Sequence, residues 1–316
     1  MENKYTNIKV NTALSLIVHG SNEVGFQLAK TLLEQGGRVI LVDKFDSNTK
    51  RLVTELKKLG EADFIDFHGL ESLYKSINRI DYIFYLLNEN DQEKNLTSKD
   101  FLEESNYLNQ TLKSALKNNT KTSLITSIKL NKRLTETVSS LNVSAPSPYS
   151  TIELQKYCET LTAEYRDKSK LNVRILRLGT LLGEGIQNIS DDVVNDLFKD
   201  SLQKGVLTIK GEGLDTHYLI NINDAVYGIL KLTFADKTEG EVITLANNHE
   251  YTTLSIAYKL LEINGDIREI KFKDSDDNTP FSLANYTPAT NAEKYGWQQN
   301  STLEQSIVES LKAINP

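Results

Sequence analysis

Leu14-Ser15-Leu16-Ile17-Val18-His19-Gly20-Ser21-Asn22-Glu23-Val24-Gly25 opens the stretch that decides the fold, and Arg38-Val39-Ile40-Leu41-Val42-Asp43 closes it. A short apolar run enters a glycine turn. Leu28, Leu32 and Leu33 then recur at helical spacing across Val24 to Gln35, and Gly36-Gly37 supplies the stop. The second apolar run ends in an acid. Strand, glycine turn, helix and acid-ended strand make a dinucleotide-binding unit. Its glycines let backbone approach a pyrophosphate, and its helix N-terminus offers free N–H groups and a partial positive charge. Asp43 lies 18 residues after Gly25, where a carboxylate would accept hydrogen bonds from an adenosine ribose. An acid there favours NAD over NADP, because it repels a 2′-phosphate.

The turn itself departs from the pattern. Counted back from Gly25, Gly-x-x-Gly-x-x-Gly falls on His19 and Asn22; with one residue deleted, Gly20 takes the first place and the middle glycine is lost. Asn22 can adopt a left-handed conformation, but it carries a side chain into the space a pyrophosphate needs. Glu23 adds a negative charge at the helix N-terminus, where it would repel phosphate or take its place. A tight turn that binds nothing is the competing reading.

Outward from this stretch, apolar runs continue to alternate with amphipathic segments, which points to a parallel sheet covered by helices. Further strands are expected at Ala62 to Asp66, Asp81 to Leu87, Thr122 to Thr126 and Val173 to Leu178, with helices at Thr49 to Leu59, Lys99 to Lys117 and Tyr149 to Arg166. In the Lys99 helix, Phe101, Ser105, Leu108, Leu112 and Ala115 share one face. After Gly179 the elements shorten. The expected fold is α/β, a Rossmann-type doubly wound parallel sheet with a smaller α/β C-terminal substrate lobe. Residues 1–179 form the NAD(P)-binding part, and 180–316 the lobe interleaved with it.

The 316 residues carry a formal charge of −7, with 39% hydrophobic and 25% charged positions. That balance argues against non-specific nucleic-acid binding and against anionic membrane surfaces. The lone Cys158 allows no intramolecular disulfide, and the longest apolar runs, such as Ile83 to Leu87, are too short to span a bilayer. A cytoplasmic protein is expected. His19, His68, His217 and His249 are scattered without metal-ligand spacing.

Several stretches together resemble the extended short-chain dehydrogenases/reductases, the NAD-dependent nucleotide-sugar epimerase and dehydratase family, over almost the whole chain. Asp66-Phe67 matches that family's Asp-hydrophobic pair against the adenine, and Tyr85-Leu86-Leu87-Asn88 its His-Leu-Ala-Ala turn under the cofactor. Thr126-Ser127 resembles its Ser-Ser strand end, with Ser127 at the catalytic Ser/Thr. Leu171 to Leu178 resembles the strand after the catalytic helix. In the lobe, Leu207 to Gly213 followed by Leu219 to Val226 resembles the family's Tyr-Gly-Asp-Gly loop and helix start. Lys294-Tyr295-Gly296-Trp297 resembles its Leu-Gly-Trp. The resemblance implies a cofactor site at Gly20, Asn22, Gly25, Asp43, Asp66, Phe67 and Leu87, and a nucleotide-sugar ligand.

It also implies a tyrosine acid/base followed four residues later by lysine. Tyr149 matches the tyrosine, but Glu153 stands where the lysine belongs. A tyrosine with a reference pKa of about 10 needs a nearby cation to work near neutrality, and Glu153 reverses that charge. On this reading Glu153→Lys should raise NAD affinity or uncover slight redox activity. On the substrate side, His217 follows Thr216 where the family often has an arginine gripping a diphosphate, and a mostly neutral imidazole is no bidentate guanidinium. Thr180 stands for an asparagine facing the sugar, and Glu184 for the proline of Tyr-Gly-Pro-Gly.

Scaffold motifs kept while ligand-facing residues change give the first functional expectation: a non-catalytic interaction or regulatory protein that could still bind NAD, with that binding weakened or lost as the other outcome. An NAD-dependent epimerase, dehydratase or reductase with an atypical active site is the alternative, and different chemistry in the same cleft is a third. The resemblance further implies a homodimer through the Lys99–Lys117 and Tyr149–Arg166 helices. The apolar face of the first helix fits either that contact or packing on the sheet. A heteromeric protein partner fits a scaffold role equally.

Overall fold

The computed structural model describes residues 12–87, 96–128, 151–203, 205–274 and 291–314. Apolar-rich runs, most of them buried, become the strands of one seven-stranded sheet. These are Leu14–Val18 (β1), Arg38–Asp43 (β2), Ala62–Asp66 (β3), Tyr82–Leu86 (β4), Lys121–Ser127 (β5), Val173–Leu178 (β6) and Val242–Leu245 (β11). The order is β11-β6-β5-β4-β1-β2-β3. β1 runs parallel to both neighbours, with Leu16 opposite Ile40 on β2 and Ile83 on β4. Chain order therefore reverses between β1 and β4, the place where open α/β sheets bind ligands. This is a Rossmann-like α/β fold.

The chain divides into two compact units. The first draws on residues 1–126, 145–177 and 226–243, the second on 127–144, 178–225 and 244–316. In the first, helix α1 (Glu23–Glu34) follows β1 and stops where Gly36 turns left-handed at φ 81°. There the Gly36 and Gly37 amides donate to Leu33 and Leu32. Ser47–Leu56 (α2) and the short Leu70–Ser76 (α3) follow. Ser98–Asn118 (α4) begins at a capping box in which Thr97 and Asp100 bond each other's backbone, and ends at left-handed Asn119. Leu108, Leu112 and Ala115 of α4 join Leu154 and Cys158 of Thr151–Ser169 (α5) and Leu16, Ile83, Tyr85 and Leu124 of the sheet in one core. The apolar face of α4 thus packs on its own sheet. The large apolar side chains that α4 and α5 leave exposed are Leu102, Leu116 and Tyr157.

Side chains alternate across the strands. Tyr85 points toward α4, while Tyr82 packs on Phe234 with ring centroids 4.4 Å apart. Phe234 ends Ile222–Phe234 (α7), and Thr233 beside it shares a 2.7 Å hydrogen bond with Ser123 on β5.

In the second unit, Thr180–Leu182 (β7) pairs in parallel with Leu219–Asn221 (β10), and Val206–Lys210 (β8) with Glu269–Lys273 (β13). Thr216–His217 (β9) pairs antiparallel with Tyr251–Thr252 (β12). Helices Asp192–Gln203 (α6), Thr253–Ile263 (α8) and Leu303–Ile314 (α9) complete it. Asp224 fastens the C-terminal segment. Its carboxylate accepts from the amides of Asn300 and Ser301 at 3.1 and 2.9 Å, and its carbonyl from the Trp297 indole at 3.1 Å. The tryptophan after Gly296 and the acid in the first turn of α7 are therefore one structural device. No helix among the described residues is long and apolar enough to cross a membrane.

Candidate functional site

Helix α1 can start against β1 only because two glycines meet there. A Cβ on Gly25 would lie 2.6 Å from the Gly20 backbone, and one on Gly20 would lie 2.3 Å from a Leu41 methyl. The close approach that a pyrophosphate cradle requires is thus built in. Asn22 is extended at φ −81°, and its side chain accepts from the Gly25 amide at 2.7 Å as the N-cap of α1. The left-handed conformation that the sequence allowed Asn22 falls instead on His19, at φ 57°. Histidine is among the few non-glycine residues enriched in that region.

At the end of β2, Asp43 accepts from the Ser21 amide at 3.0 Å, from the Ser21 hydroxyl, and from the Lys44 amide at 2.7 Å. The carboxylate is held in place by the turn it faces. Asp66 accepts from the His68 amide at 2.9 Å and the Phe45 amide at 3.3 Å, so it works as a cap. Phe67 is buried, stacked on Tyr107 at 4.6 Å and tilted against His19 at 4.8 Å. Tyr107 thus covers one face of the ring. Leu87 is buried and donates its amide to Ile125 at 3.0 Å.

One cluster was not legible in the sequence. His19 Nε2 donates to Glu104 Oε1 at 2.9 Å, and the Tyr85 hydroxyl donates to the same oxygen at 2.5 Å. The two side chains are only 13% and 15% exposed, so their interaction is shielded from solvent screening. Burial works against the imidazolium, but the adjoining Glu104 charge and hydrogen bond outweigh it and raise the His19 pKa above its usual 6.5. Burial likewise opposes the Glu104 carboxylate, yet His19 holds its pKa below the usual 4.5. Tyr85, buried beside that carboxylate, is pushed well up and stays a neutral donor. His19 and Glu104 are 85 residues apart, and no local spacing joins them.

Helix α5 presents a second cluster. Glu159 accepts from the Thr126 hydroxyl at 2.8 Å and from Arg177 Nε and Nη2 at 3.0 and 2.6 Å. Those bonds fix the rotation of α5 against β5 and β6. At about 100° per residue, Gln155 lies about 40° from the Glu159 direction, whereas Glu153 lies about 120° away. Gln155 is 5% exposed, and no side-chain hydrogen bond joins it to another described residue; Glu153 is half-buried in the first turn. Thr151, one turn before Gln155, has a buried hydroxyl without a hydrogen-bond partner. The polar strip Thr151, Gln155, Glu159 and Thr162, at spacings of four, four and three, was the available signal. Tyr149 lies outside the described residues. Ser127, next after Thr126, is buried at the end of β5.

The substrate-side residues fall in the second unit. Thr180 is buried on β7, its amide donating to Tyr218 at 2.8 Å. His217 is buried with both ring nitrogens engaged, Nδ1 to Asp191 at 3.0 Å and Nε2 to the Thr253 hydroxyl at 2.9 Å. A ligand contact by His217 would cost one of those bonds. Glu184 is exposed between two left-handed glycines, Gly183 and Gly185.

The chain resembles known proteins over its length. UDP-glucuronic acid decarboxylase 4 of Arabidopsis thaliana is 28% identical over 159 residues, 49% of this chain and 34% of that protein. The match thus spans about a third of that relative's length. UDP-glucuronic acid decarboxylase 1 of Danio rerio is 23% identical over 288 residues, 84% of this chain and 64% of that one. Among solved structures, an epimerase from Methanothermobacter thermautotrophicus superposes with a TM-score of 0.76 at 17% identity, covering 98% of this chain and 96% of that one. The UDP-glucuronic acid 4-epimerase of Bacillus cereus, in complex with UDP-glucuronic acid and NAD, gives 0.72 at 20% identity, covering 95% and 98%. Such identities speak for a shared fold. The model of the NAD dependent epimerase/dehydratase family matches residues 17–246, and this chain belongs to that family.

Proposed function

We propose that the chain binds NAD in the first unit and has lost the proton and hydride chemistry associated with its fold, serving as a ligand-responsive interaction or regulatory protein. The observation that carries this reading is the inward face of α5. Its rotation is fixed by Glu159, and that face carries Thr151, Gln155, Glu159 and Thr162, none of them a cation that could make a tyrosine acidic. Glu153 adds an acid to the first turn of the same helix.

NAD fits the residues that remain. Gly20 and Gly25 keep the backbone approach, the N-terminus of α1 supports a pyrophosphate, and Asp43 supports an adenosine ribose. Bound NAD would bring hydride-accepting capacity; the chain's own contribution would be binding and orientation. A nucleotide sugar such as UDP-glucuronic acid is the ligand class that the likeness to the decarboxylases and the 4-epimerase suggests. The outward apolar residues Leu102, Leu116 and Tyr157 of α4 and α5 support a homodimer through these two helices, which sedimentation of the wild type against Leu102→Glu would test. The reading is tested by measuring NAD⁺ binding beside turnover of UDP-glucuronic acid. Binding without NADH or altered sugar is expected; steady turnover would favour the alternative, an active enzyme with an atypical site.

A further inference from the structure

The His19–Glu104–Tyr85 cluster stands where β1 and β4 part, between the glycine turn and α4. A glycine at position 19 would enter the left-handed conformation without steric cost, whereas an L side chain rarely adopts it. The imidazole is nevertheless fixed there by Glu104 and by two rings, Phe67 at 4.8 Å and Tyr85 at 5.7 Å. A buried, ionisable side chain on a left-handed backbone at a ligand crevice is a reason to look for function.

The hydrogen-bond arrangement says which proton moves. Glu104 Oε1 accepts from both Tyr85 and His19 Nε2, so Nε2 carries hydrogen whether the ring is neutral or cationic. The titrating proton is on Nδ1, to which no described residue is hydrogen-bonded. The charges around the ring are Glu104 from α4, Asp43 from β2 and Lys44 just beyond it. The neutral Tyr85 hydroxyl on β4 and Cys158 thiol on α5 face Glu104. Asp66 follows along β3, opposite Asp43. With the ring neutral, these acids outnumber the one lysine at a place where a phosphate would sit. With the ring cationic, its charge offsets the Glu104 carboxylate.

We propose that His19 sets the charge of the crevice for phosphate-bearing ligands, so that a dinucleotide binds together with a proton on the His19 ring. Glu104 is the positioning residue that holds the ring in place, and Tyr85 secures Glu104. The proposal rests on the reading of this crevice as an NAD site and extends it to a proton-linked one. Binding then weakens as pH rises through the imidazole's pKa, and only for ligands that carry phosphate.

The test is calorimetry on the full chain with NAD⁺, and with adenosine as a phosphate-free control, between about pH 6 and about pH 8.5, in two buffers of different ionisation heat. Wild type, His19→Gly and Glu104→Gln are compared; glycine suits the backbone at position 19, and glutamine keeps the shape of Glu104. The wild type is expected to take up protons with NAD⁺ and to lose about three- to tenfold in affinity across the range. His19→Gly should be flat, Glu104→Gln should lose its affinity at lower pH, and adenosine should show no pH effect in any protein. NAD⁺ binding without pH dependence in the wild type, or the same dependence in His19→Gly, would overturn the proposal and leave the NAD reading standing. No NAD⁺ binding by any of the three proteins at any pH would overturn both.

Discussion

The β1–α1 turn and the inward face of α5 belong to the same unit, yet they have kept different things. The turn retains the geometry that backbone needs, two glycines in contact and an acid at the end of β2. Helix α5 retains its anchoring to β5 and β6 through Glu159 and Arg177, but the side chain one turn nearer its start is a neutral amide. Packing requirements bind both regions equally, because a misplaced Cβ or an unpaired buried charge costs stability in either. A charge needed only for reaction carries no such penalty when it is lost. The difference separates what holds the fold from what would perform chemistry.

The largest effect should come from the anchor. Glu159→Ala leaves Arg177 partly buried without its carboxylate and should cost about 3 kcal/mol of unfolding free energy, measured by urea denaturation. A loss below about 1 kcal/mol would mean that the pair does not fix α5. Next, Gly25→Ala forces a Cβ into the Gly20 backbone and should cost about 1–3 kcal/mol while weakening NAD⁺ more than Asp43→Ala does. Unchanged NAD⁺ affinity would show that the close approach serves packing alone.

The buried pair gives a pH test of stability. His19 has a raised pKa when folded, so its contribution is complete below about 6.5, the imidazole's ordinary value, and fades as pH rises through the folded value. Glu104 has a lowered one, so its contribution holds above about 4.5 and fades as pH falls through the folded value. Thermal unfolding should therefore be most resistant between those limits, and Glu104→Gln should flatten both flanks. A variant with the wild-type pH profile would remove the pair from the account. The smallest effects separate two positions on α5: Gln155→Lys should tighten NAD⁺ by a few-fold, and Glu153→Lys should leave it nearly unchanged. The reverse order would restore Glu153 as the residue that matters.

Much of the fold was legible because it depends on local pattern. β1, β2, β3 and β6 have the bounds read from their apolar runs, and the glycine stop of α1 lies where the sequence puts it. Helix α3 has no signature in the sequence, since seven residues between Gly69 and Ile77 hold too little periodicity. The shared face of α4 was legible, but its partner was not; Leu108, Leu112 and Ala115 face the sheet. The candidate site was less legible because it depends on phase and long-range pairing. The spacing from Tyr149 singles out Glu153, whereas the rotation of α5 follows from Thr126 and Arg177, far along the chain. His19 read as a missing glycine, and Glu104, in another helix, explains what it does.

The central claim, an NAD site kept by the fold without its reaction, is tested most directly by calorimetric titration of the purified chain with NAD⁺, alongside Asp43→Ala. The account predicts saturable binding that weakens at least about tenfold in the variant, the loss of about 1.4 kcal/mol expected for one well-placed charged hydrogen bond. No heat up to millimolar NAD⁺, or equal affinity in both proteins, would contradict it.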